Sequence, residues 1–79
     1  MVKARAIILI SGAASQVPNQ LVDETLKPFT FATLDRQEIL MAGRMILALE
    51  IELDPAHLDA IESDLVSALD HLDVACDLL

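Results

Sequence analysis

Residues 31–40 and 44–53 are both rich in strand-forming residues, and only Met41-Ala42-Gly43 separates them. A gap that short joins two strands only as an antiparallel hairpin, because a parallel crossover needs a dozen residues or more. Gly43 supplies the backbone freedom that such a reversal requires. Within the second run, Met45, Leu47, Leu49 and Ile51 alternate with Arg44, Ile46, Ala48 and Glu50, so one face is set for burial. The hairpin therefore needs further elements to cover that face.

The rest of the chain provides them. Residues 2–11 are dense in aliphatic and β-branched side chains and close on Ser11-Gly12, which predicts a strand running into a loop. Over residues 16–27, Val17, Leu21, Val22 and Leu26 recur at helical spacing; Pro18 fits only near the start, and Pro28 ends the segment. Asp54-Pro55 predicts the start of a second helix: a carboxylate that accepts orphan N–H groups, then a proline where the missing N–H costs nothing. Leu58, Ile61, Leu65, Ala68, Leu69 and Leu72 follow at steps of three and four. Residues 72–79 return to period two, with Leu72, Val74, Cys76 and Leu78 on one side. The order β-α-β-β-α-β predicts an α+β, ferredoxin-like sandwich: a four-stranded antiparallel sheet with both helices on one face and the first and third strands central. Ala4, Ala6, Ile8 and Ile10 would then join the third strand's buried set in the core. The opposite face would carry Ile7, Leu9, Ile46 and Ala48, ringed by Lys3, Arg5, Arg44, Glu50, Glu52, Asp73 and Asp77, with no helix left to cover it.

Seventy-nine residues make one small domain, and a chain of this size buries only about 60% of the surface its unfolded form exposes. Its 54% apolar content argues for folding rather than disorder. Five Lys and Arg against thirteen Asp and Glu leave a net charge of −8, which opposes binding to a phosphate backbone. Only Phe29 and Phe31 are aromatic, too few for base stacking. No apolar run approaches the roughly 18 residues of a membrane span, and the run after Lys3 and Arg5 is shorter than a signal peptide requires. A single cysteine, Cys76, forms no intrachain disulfide, and a soluble, cytoplasmic domain is expected.

The chemistry-bearing residues are sparse. His57 and His71 lie 14 residues apart on the expected second helix, about 21 Å along its axis, too far to share an ion. The carboxylates form no calcium-loop pattern, and the serines lack a nucleophile-elbow context or a partner base. No catalytic residue, metal ligand or cofactor is assigned to this domain. Cys76, among apolar neighbours, reads as a small core residue. The segment with site character is the loop after the first strand, residues 11–19, which leads from a central strand to a helix N-terminus. There, backbone N–H groups around Gly12, Ala14, Ser15 and Gln16 would favour a carboxylate, and Asn19 offers an amide. An ordinary capped loop accounts for the same residues.

With Gly12 closing the first strand and Pro18 opening the first helix, the chain resembles the ACT domain family of amino-acid-sensing modules. Residues 35–47, with Asp35, Gln37 and Gly43-Arg44 followed by alternating aliphatics, resemble the hairpin of the N-terminal ACT-like domain of bacterial phosphoserine phosphatases. The resemblance implies a non-catalytic regulatory and association domain of serine biosynthesis. It would bind a small amino acid, with serine the candidate, or a partner subunit through its sheet face and edge. Magnesium would belong to a separate phosphatase domain. Where the family carries Pro-Gly in the ligand loop, Pro18 here precedes Asn19, and the interval from Gly12 to Pro18 is longer, so an amino-acid site would be altered. No Asp-x-Asp phosphoryl acceptor is present, and Leu79 ends the sequence without a polar tail, as expected of a piece of a longer chain. The alternative on the same fold is an acylphosphatase-like small hydrolase. It would need an arginine in the loop after the first strand, where residues 12–19 hold neither Arg nor Lys.

Overall fold

The computed structural model describes residues 3–13, 15 and 19–79. Four strands, β1 (Ala4–Ala13), β2 (Phe31–Met41), β3 (Arg44–Leu53) and β4 (Asp73–Leu78), form one antiparallel sheet in the order β2-β3-β1-β4. Helices α1 (Asn19–Leu26) and α2 (Leu58–Ala68) complete the βαββαβ order of the ferredoxin-like fold. β1 and β3 are central, as the sequence predicts.

Alternation decides which side is buried. Ala6, Ile8 and Ile10 of β1 and Leu47, Leu49, Ile51 and Leu53 of β3 point to the helices, where they meet Val22, Leu26, Ile61, Leu65 and Leu69 in one core. Ala4 and Met45, also expected there, are only partly buried at the ends of their strands.

Local chemistry adjusts the element ends. The Asp54 carboxylate accepts the Ala56 N–H at 3.0 Å, as its capping position predicts, but the first turn, Pro55–His57, is a 3-10 turn and the α-helix begins at Leu58. The helix also stops earlier than predicted. Leu69 closes it with an N–H bond to the Leu65 carbonyl, and Leu72 and His71 lie in the turn beyond it, so the two histidines do not share a helix. Residues 16–18 of the predicted first helix lie outside the described residues, and α1 ends at Leu26, two residues short of Pro28.

The hairpin reverses on Ala42-Gly43, with φ of 53° and 74°, both in the left-handed region, while Met41 belongs to the strand. Two left-handed residues define the turn whose twist matches paired strands, and alanine occupies it at a cost of about 1 kcal/mol. Ala42→Asn should therefore raise stability by about 0.5–1 kcal/mol, read as a higher urea midpoint at unchanged slope. An unchanged or lower midpoint would contradict this account of the turn.

Candidate functional site

Gly12, expected to close the first strand, lies within β1, buried and paired with Met45, and the strand runs on to Ala13 before the loop begins. A Cβ placed on Gly12 would collide with Leu72 Cδ2, so the missing side chain admits a core leucine. Ser15 is exposed. Ala14 and Gln16, expected to offer N–H groups to a carboxylate, lie outside the described residues. Asn19 opens α1, and its Oδ1 accepts a hydrogen bond from Arg36 at 3.2 Å; the same guanidinium donates to Asp23 at 3.0 Å. Arg36 thus ties β2 to the start of α1 and occupies the amide oxygen that the sequence offers to a ligand.

Arg36 reaches α1 because of an irregularity in β2. The register passes from Thr33↔Ile51 to Asp35↔Glu50, leaving Leu34 as an extra residue, a β-bulge. Before it, Phe31 and Thr33 share the helix side. After it the parity inverts, so Arg36, Glu38 and Leu40 take the helix side while Asp35, Gln37, Ile39 and Met41 turn to the opposite face. Strict alternation from Phe31 would have grouped Ile39 with the core side.

The inversion enlarges the apolar area on the open face. The register aligns Ile39 with Ile46, and Ala48 with Leu9, while Ile7 lies one double step further along β1. The stripe runs diagonally from Met41 at the hairpin end to Ile7, with Leu9 37%, Ile46 39% and Ile39 47% exposed. Ser11, Ile39, Met41, Arg44, Met45 and Ile46 line a shallow concavity at its upper end. Charges surround it as the sequence predicts, with Asp35 added by the bulge, and Arg5 pairs with Glu50 at 3.4 Å. That pair is exposed enough that its own contribution to stability is small.

Other titratable groups stand apart. Cys76 faces the helix side beside Ile8, packed against the core. Burial, reinforced by Glu62 and Asp77, pushes its thiol from 9.0 up to about 11. Such a thiol is mostly protonated at neutral pH and a poor nucleophile or metal ligand, in keeping with a packing role. His71 Nδ1 lies 3.3 Å from Asp70 Oδ1 on the exposed turn. Among the described residues no group of three His, Cys, Asp or Glu is placed to hold a metal ion, and no helix is long and apolar enough to cross a membrane.

Together these features define a small ferredoxin-like α+β domain with an uncovered, acid-flanked sheet face. No family model and no curated protein matches the chain. Among solved structures, it resembles an unknown protein from Galdieria sulphuraria with a TM-score of 0.84 at 14% identity, over 99% of this chain and 46% of that one. It resembles an uncharacterised protein from Thermotoga maritima with a TM-score of 0.73 at 18% identity, over 99% of both chains. The chain thus spans about half the length of the Galdieria protein. At these identities the likeness is one of fold.

Proposed function

We propose that this chain is a non-catalytic, ACT-like regulatory and association domain, the N-terminal domain of a phosphoserine phosphatase of serine biosynthesis. The observation that carries this reading is the sheet: one face is packed on two helices and the other, with its apolar stripe, is uncovered. A domain of this size gains stability and a role by covering such a face with a partner subunit or neighbouring domain. The β2 edge adds unpaired backbone groups along eleven residues, a second place for a partner strand. The resemblance of residues 35–47 to the phosphatase hairpin supports the parentage, and the βαββαβ order supports amino-acid sensing at the loop between Gly12 and Asn19. The engagement of Asn19 by Arg36 weights the reading toward association.

Two measurements test it. Self-association along the β2 edge should appear in light scattering as a mass above 8.6 kDa that grows with concentration into the high micromolar range; a monomer throughout would overturn it. A single bound carboxylate with neutral hydrogen bonds supports about −4 to −8 kcal/mol, micromolar to millimolar affinity, so serine must be titrated to several millimolar. Amide shifts confined to residues 12–19 would establish sensing. If those amides stay unmoved at that concentration, the loop senses no serine.

A further inference from the structure

The open face carries an apolar diagonal whose charged surroundings are unevenly placed. Met41, Ile39, Ile46, Ala48, Leu9 and Ile7 follow one another across β2, β3 and β1. Three double steps along the strands and two strand spacings across them make the stripe about 22 Å long. That is the length of about fifteen helical residues. Asp73 and Asp77 stand on β4 along one side, in register with Ser11 and Ile7. Asp35 and Glu50 stand along the other. The cations keep to the ends: Arg44 beside the hairpin turn, and Lys3 and Arg5 where β1 begins, with Arg5 already held by Glu50. The apolar line is therefore walled on both flanks by carboxylates and is not walled by cations.

From this charge pattern we infer that the open face docks a basic amphipathic helix of another polypeptide, its apolar side on the diagonal and its Lys or Arg side chains reaching the carboxylates on both flanks. This rests on the association reading above and names the kind of partner. Charge complementarity selects the occupant. A second copy laid on the same face would bring two sets of flanking carboxylates together between chains that each carry −8, and like-charge juxtaposition opposes such a contact. An anionic membrane or a nucleic acid meets the same repulsion. A basic helix meets Asp73 and Asp77 on one flank and Asp35 on the other while burying the stripe, Glu50 being already paired with Arg5.

The test uses the intact chain and a fifteen-residue Leu/Lys peptide with its leucines on one helical face. Controls are a scrambled peptide of the same composition and a Leu/Glu version. The amphipathic cationic peptide should shift the amides of Leu9, Ile46 and Ala48, and both controls should leave them unmoved. Binding should weaken about three- to tenfold in Asp73→Asn/Asp77→Asn, since each exposed charge contributes modestly. It should vanish in Leu9→Glu, whose fold is checked by circular dichroism. The conservative Asn variants keep the test decisive if Leu9→Glu does not fold. Equal binding of the scrambled peptide, shifts that map to the helices or the β2 edge, or no shift at millimolar peptide would each overturn the inference. So would a dimer of the free chain that Leu9→Glu dissolves, a result that leaves the association reading standing.

Discussion

Ile8→Ala should cost about 2–5 kcal/mol, whereas Leu9→Ala, one residue along, should cost less than about 1. The two side chains are adjacent and differ little in size; the sheet separates them. Ile8 is fully buried, opposite Leu49 on one side and Cys76 on the other, beneath both helices. Truncating it removes apolar contact and leaves a cavity that cannot close, because β1 is held by a paired strand on each of its edges. Leu9 points to the open face and keeps 37% of its surface in water. A domain of this size has only a few kcal/mol in hand, so Ile8→Ala should be largely unfolded at 25 °C while Leu9→Ala keeps a nearly native urea transition. Equal losses at the two positions would mean that both faces are covered in solution.

Gly12→Val should destabilise by about 1–3 kcal/mol, with most of the loss recovered when Leu72→Ala is added. The reason is the contact between Gly12 and Leu72. Leu72 folds back from the turn after α2 and fills the space where a β1 side chain would stand. A branched side chain at position 12 forces that leucine off its rotamer, and shortening the leucine relieves the clash. The double-mutant cycle separates two reasons for a small residue at a strand end. If the glycine served only to let a ligand approach the backbone, Gly12→Val would leave stability unchanged and show no coupling to position 72.

Much of the architecture is legible in the sequence because it rests on short-range chemistry. The alternation of β1 and β3, the reversal at Gly43 and the Asp54-Pro55 start each follow from steric or hydrogen-bonding rules acting within a few residues. The bulge at Leu34 does not. Nothing in Thr33-Leu34-Asp35 marks an extra residue, and the parity of β2 beyond it is set by pairing with β3. The open face is therefore larger than the sequence suggests, by Ile39 and Met41, and Arg36 lands where it meets Asn19 and Asp23. The early end of α2 is of the same kind: Leu69 and Leu72 continue a helical spacing, but the chain leaves the helix at Ala68 to bring β4 alongside β1, and both leucines reach the core from the turn. As for the candidate loop, its position between a central strand and a helix is legible, while the reason for Gly12 and the partner of Asn19 depend on residues far away in sequence.

The central place of β1 bears on how the chain is made. Ile8 stands in register with residues some forty and seventy positions later, Leu49 and Cys76. During synthesis the first strand to leave the ribosome is thus the last to have both its edges satisfied. Its Ile7-Ile8-Leu9-Ile10 run waits, with backbone groups free on each side, while the hairpin and then the final strand are produced. At about 5–20 residues per second, that interval lasts several seconds. In that window mispairing of this apolar, open-edged strand competes with folding.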